Sequence, residues 1–186
     1  SVTSLKEEFG VNPDATFNVV DRPVYVNFGL ATGYADNNAD VWNSLTSNVA
    51  GASIRNIYNN KGYGTDICLN IEEAFDGVAK DGSPYVGEEF AIPENAAKSS
   101  FYSQGKSSIT ISGLYPGQAY DMKIYASSAS DSGSTFRFPG DNTGETSIDA
   151  KGNTSRLAMV PDIVADKYGR IKFSMECAVG GLSHLN

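Results

Sequence analysis

The sequence predicts an all-β chain built as an antiparallel β-sandwich, with a jelly roll as the expected subtype, and three observations support this fold class. Short runs in which apolar and polar residues alternate recur along the chain, and this period of two is typical of half-buried strands. Glycine supplies 19 of the 186 residues and punctuates these runs where turns are needed. Helical periodicity is almost absent, so the expected architecture is two packed antiparallel sheets.

The expected strands begin after a short lead-in. Residues 1–22 have a weak pattern that Pro13 interrupts, so they are expected to be an N-terminal lead-in or packed arm, and residues 23–186 the β-sandwich module. A turn at Pro116 and Gly117 joins the third and fourth runs. The alternating runs are 24–28, 67–71, 109–111, 120–124, 136–138, the surroundings of Ile148, 157–160 and 171–177.

Long polar stretches separate several of these runs. Residues 31–53, 78–91 and 127–134 are expected to be loops at the ends of the sandwich, and residues 93–100 have room for one or two helical turns. Loops carried by a rigid scaffold are the usual place for binding residues. Candidate binding residues are therefore sought in these stretches.

Charge and hydropathy exclude two classes of partner. The formal net charge is −8, from 14 Lys and Arg against 22 Asp and Glu. A protein that binds the phosphate backbone needs a basic face, so nucleic acid is not an expected partner. No apolar run approaches the ~18 residues of a membrane span, so direct membrane insertion is not expected either.

The sequence contains few residues that are arranged for acid–base or nucleophilic catalysis, so no enzyme activity is expected. His184 is the single histidine, which excludes multi-histidine metal sites, and its neighbour Ser183 should face the other way on a strand. The adjacent pairs 72–73 and 88–89 are both Glu-Glu, and neighbours on a strand cannot flank one glycosidic bond. A glycosidase or esterase would need an acid and a base from separate loops.

The two cysteines are expected to remain unpaired. Cys177 shares the phase of the apolar residues 171, 173 and 175, so it should face the core. Cys68 has the opposite phase to its apolar neighbours 67, 69 and 71. Side chains on different faces do not reach disulfide geometry, so both are interpreted as small hydrophobic residues.

The order of five short motifs resembles one family. They are NFG at 27–29, WN at 42–43, SGLYPGQAYD at 112–121, NTS at 153–155 and LN at 185–186. In this order they resemble the galactose-binding-domain-like β-sandwich modules of secreted glycan-degrading enzymes and surface lipoproteins of Bacteroidetes. The resemblance covers about residues 24–186. It implies an extracellular or cell-surface bacterial setting, possible lipid anchoring of the full-length protein, and neighbouring modules in the same polypeptide.

Aromatic and amide side chains in the first polar loop are the main candidates for glycan binding. Sugars stack an apolar face on aromatic rings while amide groups bind their hydroxyls, and Trp42 with Asn43 supplies both. The alternative is that Trp42 plugs the end of the core and Asn43 binds loop backbone. Tyr34 and Tyr63 lie in glycine-flanked turns and are expected to be more exposed than Trp42.

Charged residues add two further candidates. Arg137 lies between Phe136 and Phe138, so it should point away from the core, where its guanidinium could bind vicinal hydroxyls or a sugar carboxylate. Asp36 and Asp40 carry oxygen ligands at close spacing and are candidates for a structural calcium ion, although the EF-hand spacing is absent. The alternatives are a surface arginine and a solvated turn.

Two other polar segments are interpreted as turns. Residues 141–145 are also rich in oxygen ligands and are expected to form a hairpin turn. The segment 153–155 fits a glycosylation acceptor, but it is interpreted as a turn in which side chains bind backbone.

The sequence therefore predicts a non-catalytic carbohydrate-binding or accessory module that needs no cofactor. The alternative is a structural spacer or protein-interaction β-sandwich domain without a sugar ligand.

Overall fold

The computed structural model describes residues 22–32, 40–89, 91–131, 133–139, 144–177 and 180–186. Their regular secondary structure is almost all β-strand, with one five-residue helix, α1, at Glu94–Lys98. The strands, in chain order, are β1 Tyr25–Phe28, β2 Trp42–Leu45, β3 Ser53–Ile54, β4 Cys68–Glu73, β5 Gly77–Ala79, β6 Ser100–Ser103, β7 Ser107–Ser112, β8 Ala119–Ile124, β9 Gly133–Phe138, β10 Gly144–Asp149, β11 Ala158–Val164, β12 Ile171–Glu176 and β13 Ser183–Leu185.

The strands form one large sheet and three small ones. The large sheet has six strands in the order β10-β9-β12-β7-β4-β3, and a three-stranded sheet has the order β13-β6-β5. Strands β11 and β8 form an antiparallel pair. Strands β1 and β2 are parallel, with Tyr25 opposite Trp42, and every other strand pair is antiparallel. The prediction of an all-β, largely antiparallel fold is confirmed.

Period-two alternation builds the six-stranded sheet and one side of the core. In β9, Phe136 and Phe138 are buried, while Arg137 between them is exposed, as predicted. Strands β4 and β12 alternate in the same way. The core contains, among other apolar residues, Phe28, Leu69, Ile71, Phe75, Phe101, Ile109, Phe136, Phe138, Phe173 and Met175.

Helix α1 covers part of this core, inside the stretch 93–100 where a short helix was expected. Ala96 and Ala97 are buried, and Glu94 pairs with Lys98 one turn later. No helix in the described part of the chain is both long and apolar enough to span a bilayer.

Several expected loops contain strands. The stretch 31–53 includes β2 and the start of β3, and the stretch 78–91 begins inside β5. Strand β2 has the sequence WNSL, which lacks apolar alternation, and backbone pairing with β1 holds it in place. Its Ser44 hydroxyl also donates to Asn27 Oδ1 at 2.7 Å. The third loop, 127–134, ends inside β9, and the runs around 109–111 and 120–124 belong to different sheets.

Both cysteines are free, as expected. Cys68 lies on the opposite face of β4 from the buried Leu69 and Ile71. The prediction that Cys177 faces the core is wrong, because β12 ends at Glu176 and the alternation does not extend to Cys177, which is half-buried.

Candidate functional site

Turns from neighbouring strands converge at one end of the six-stranded sheet, which we call the aromatic end. It comprises turns 57–66, 113–118 and 164–170 together with the first residues of β1 and β2. Two glycines allow the turns to approach closely. Gly113 has a φ of +79°, and a β-carbon there would collide with the carbonyl oxygen of Asp66. Gly169, with a φ of +71°, is packed in the same way on the carbonyl oxygen of Leu114.

Trp42 and Tyr25 form a stacked pair at the start of β2 and β1. Their ring centroids are 5.0 Å apart with an interplanar angle of 24°, because the parallel register places the two residues side by side. Both side chains are half-buried. Burial, and then the negative charge of Asp40, raise the pKa of the Tyr25 hydroxyl. The Trp42 side chain therefore packs on Tyr25 and leaves part of its own surface exposed to solvent.

The side chain of Asn43 links the hairpin 57–65 to strand β1 through hydrogen bonds. Its Nδ2 donates to the carbonyl oxygens of Tyr25 at 2.9 Å and Tyr58 at 2.7 Å, and its Oδ1 accepts from the Tyr58 amide at 2.9 Å. The amide group is thus engaged with backbone, which is the alternative role that the sequence left open. Its contribution to a ligand site is to position the hairpin.

The hairpin 57–65 exposes two tyrosines. Its backbone is closed by the Tyr58–Gly64 bridge and by hydrogen bonds to the side chain of Asn59. Tyr58 is 52% exposed and Tyr63 is 67% exposed, so the expectation that Tyr63 is more exposed than the half-buried Trp42 is confirmed. A rigid turn that holds exposed rings suits stacking on a sugar.

Three other residues of this region were candidates for binding, and Asp40 is the one that lies within the described residues. The Asp40 carboxylate pairs with Lys61 Nζ at 2.8 Å and accepts from Asn60 Nδ2 at 3.1 Å. Tyr34 and Asp36 lie outside the described residues. Within those residues, no group of three or more His, Cys, Asp or Glu side chains is arranged to hold a metal ion.

A second pair of tyrosines at this end was missed by the sequence reasoning. Leu114 N donates to Gly169 O at 3.0 Å, which places Tyr115 and Tyr168 on adjoining turns. Tyr168 is 65% exposed and Tyr115 38%. Lys167 Nζ and Arg170 Cζ lie 4.9 and 4.8 Å from the centroid of the Tyr168 ring. Pro116 and Gly117 beside Tyr115, and Gly169 beside Tyr168, each signal a turn, but neither signal shows that the two turns adjoin.

A cavity of about 780 Å³ opens among these elements, between the six-stranded sheet and β1, β8 and β11. Trp42 and Tyr25 lie on its border, as do Tyr120 and the ion pair of Lys123 with Glu89. A hydrogen bond from Lys123 to Glu89 raises the pKa of the lysine. An apolar cavity of this size with a few polar groups is typical of ligand-binding sites.

Arg137 is separated from this end of the molecule. It lies on β9 and pairs with Glu145 at 2.7 Å, and it also pairs with Glu176. Strands β12, β7 and β4 separate β9 from β3, beside which β2 and Trp42 pack. At ~4.8 Å per strand this separation is roughly 19 Å. The structure therefore does not bring Arg137 together with Trp42, Asn43 and Tyr63.

A second polar region, which we call the buried polar network, surrounds the three-stranded sheet. His184 is 1% exposed, and its Nδ1 lies 2.9 Å from the hydroxyl of Ser100 while its Nε2 lies 3.1 Å from Asp131 Oδ2. Ser183, in contrast, donates to the Ser103 carbonyl, so neighbouring Ser183 and His184 have separate partners. Ser100 is 1% exposed, so its hydroxyl and the His184 ring lie together inside the protein.

Two motif asparagines complete the buried polar network. Asn153 donates to the carbonyls of Ala126 and Arg156 at 2.9 Å each and accepts from the Arg156 amide, so the prediction of a structural turn at 153–155 is confirmed. Asn186 donates to the Ala97 carbonyl and accepts from the Ser127 amide, both at 2.7 Å. The side chains of Asn153 and Asn186 thus make hydrogen bonds to backbone groups that have no partner in a neighbouring strand.

The fold and the site thus define a mostly antiparallel β protein with a cavity and exposed aromatic residues at one end. No family model, curated protein or solved structure matches the chain. Its function has to be inferred from its own residues.

Proposed function

We propose that the chain is a non-catalytic carbohydrate-binding or accessory module, built as a galactose-binding-like β-sandwich of the jelly-roll type. It would serve a secreted or cell-surface bacterial protein that uses glycans, with neighbouring modules in the same polypeptide. The observation that carries this proposal is the aromatic end. Trp42 and five of the ten tyrosines of the chain lie there, and the most exposed of them are Tyr63 and Tyr168.

The chemistry of the aromatic end suits a neutral sugar. Exposed rings offer faces for the apolar side of a pyranose, and ion-paired side chains such as Lys61 with Asp40 offer both donors and acceptors to hydroxyl groups. The net charge of −8 disfavours strongly anionic glycans. Because Arg137 is already paired with two glutamates on another part of the sheet, it gives an anionic sugar little support.

Affinity electrophoresis tests this function directly. The protein is run through gels that contain neutral plant and host polysaccharides, and we expect retardation in at least one of them. The double variant Tyr63→Ala/Tyr168→Ala should lose the retardation, whereas Val86→Ala, a change at an exposed apolar residue outside the aromatic end, should keep it. Absence of retardation across the whole panel would remove the carbohydrate-binding proposal.

A structural spacer is the second candidate, and one observation favours it. Trp42 packs on Tyr25, and Asn43 is engaged with backbone, so two of the five candidate binding residues also serve the fold. A spacer would hold an adjacent catalytic or adhesive module, and its tyrosines would only be solvated. Under that function the tyrosine variant would change neither sugar binding nor stability.

A further inference from the structure

Two separate tyrosine platforms lie at the aromatic end. The hairpin platform is the ring of Tyr63, on the connection between β3 and β4, while Tyr58, which lies opposite Gly64, faces the other side of the hairpin. The turn platform consists of Tyr115 and Tyr168, on the turn that follows β7 and the turn that precedes β12. Because these four strands are neighbours in the order β12-β7-β4-β3, both platforms lie at the same end of one sheet.

The strand order also sets the spacing of the platforms. The midpoint of β12 and β7 is two strand positions from the midpoint of β4 and β3. At ~4.8 Å per position the strand pairs that carry the two platforms are roughly 10 Å apart. A pyranose ring is about as wide as a six-membered aromatic ring, so one sugar covers one platform and only linked sugars reach both.

The turn platform is held in place before any ligand arrives. Asp166 accepts hydrogen bonds from the amides of Tyr168 and Arg170, and its other oxygen accepts from Arg170 Nε at 3.1 Å. Arg170 in turn lies beside the Tyr168 ring. A ring fixed in this way loses little freedom on binding, and the guanidinium supplies donors for hydroxyls at its edge. Arg170 and Asp166 neutralise each other, and Lys167 adds a further donor for hydroxyl groups beside the same ring.

We propose, on the basis of the proposed carbohydrate function, that the ligand is a linear chain of neutral sugars that spans the hairpin platform and the turn platform. Each platform binds weakly alone. Contact with the second platform is intramolecular once the first is occupied, so the affinity rises with chain length.

The test measures the affinity of oligosaccharides of increasing length by calorimetry. The probes are β-1,4-linked glucose oligomers, β-1,3-linked glucose oligomers and β-1,4-linked N-acetylglucosamine oligomers, from disaccharide to hexasaccharide. In a series that binds, we expect the wild-type protein to hold the hexasaccharide about tenfold or more tighter than the disaccharide. Tyr168→Ala should remove most of this gain and leave disaccharide binding at the hairpin unchanged, while Tyr168→Phe keeps the ring and the gain.

Two results would overturn the proposal. Equal affinity for disaccharide and hexasaccharide in wild-type protein would contradict a ligand that spans both platforms, and it would leave the carbohydrate function standing. An unchanged length dependence in Tyr168→Ala would show that the turn platform takes no part. If no oligomer and no polysaccharide binds, the proposed function itself has failed, and the polysaccharide gels record that failure separately.

Discussion

The aromatic end and the buried polar network use polar residues in opposite ways. In the buried polar network, side chains such as Asn153 and His184 are almost fully buried. Asn153 binds backbone groups, and His184 binds other side chains of the network, such as Asp131. At the aromatic end, Tyr63 and Tyr168 are about two-thirds exposed, and their backbone amides are held by the side chains of Asn59 and Asp166. The comparison teaches that saturated polar groups indicate structure, while exposed rings on well-held turns indicate a surface for binding.

The largest effect should follow from removing a network asparagine. Asn153→Ala deletes one side chain that binds the buried carbonyl of Ala126 and the carbonyl and amide of Arg156, and these groups would lose that partner. We expect a loss of about 3 kcal/mol in the free energy of unfolding, measured with urea. Asn70→Ala on the outer face of β4 is the control, with an expected loss below about 0.5 kcal/mol. Similar losses for both variants would erase the distinction between the two regions.

Alkaline pH should also act through the buried polar network. Burial raises the pKa of the Tyr125 hydroxyl, which donates to the Asn153 carbonyl at 2.6 Å. The neutral phenol is favoured in the folded state, so its stabilisation is present below about pH 10, where the unfolded tyrosine is neutral, and is lost as the pH rises through the folded-state value.

The measurement is urea unfolding of wild-type protein and Tyr125→Phe between pH 8 and pH 11, which are chosen around the tyrosine pKa of about 10. At pH 8 we expect the variant to be less stable by about 1 kcal/mol, since a hydrogen bond is lost. The difference should shrink as the pH rises. A stability difference between wild type and Tyr125→Phe that grows with pH would mean that folding lowers the pKa of Tyr125 instead of raising it.

Trp42→Ala should weaken both folding and binding. The indole is half-buried against Tyr25, so we expect a loss of about 2 kcal/mol in stability with the fold retained. Affinity for a retained polysaccharide should fall about tenfold, because stacking surface is removed. Trp42→Phe, which keeps an aromatic ring, should retain most of the stability and most of the affinity of the wild-type protein. Full affinity in a folded Trp42→Ala protein would exclude Trp42 from the site.

The smallest effect is expected at Arg137. Its ion pairs with Glu145 and Glu176 are on the surface, where such pairs contribute about 0 to 1 kcal/mol. Arg137→Ala should therefore change stability by less than about 1 kcal/mol and leave polysaccharide retardation as it is. Loss of retardation would mean that a sugar also binds the outer face of β9, far from the aromatic end.

Much of the fold could be predicted from alternation, but polar strands could not. Runs such as 67–71 and 136–138 show a period of two because one face is buried, and both are strands in the structure. Strands β6 (SFYS) and β13 (SHL) mix polar and apolar residues and are almost entirely buried, so the apolar alternation that identifies a strand is absent. Their hydroxyl groups are satisfied by partners distant in sequence, as in the bond from Ser183 to Ser103.

The candidate site was predicted only in part, for a related reason. Exposure of Tyr63 follows from its local turn, and the outward direction of Arg137 follows from its buried neighbours. The separation of Arg137 from Trp42, and the approach of Tyr115 to Tyr168, depend on strand order in the six-stranded sheet. Sequence distance does not reveal that order, since β12 lies between β9 and β7.

The fluorescence of the single tryptophan gives the most direct test of the central claim that the aromatic end binds glycan. Trp42 is the only tryptophan, so acrylamide quenching reports on this position alone. We predict that a polysaccharide that retards the protein in gels lowers the quenching of Trp42, while a polysaccharide that does not retard it has no effect. Retardation with no change in Trp42 quenching or emission would place the glycan elsewhere and contradict the account.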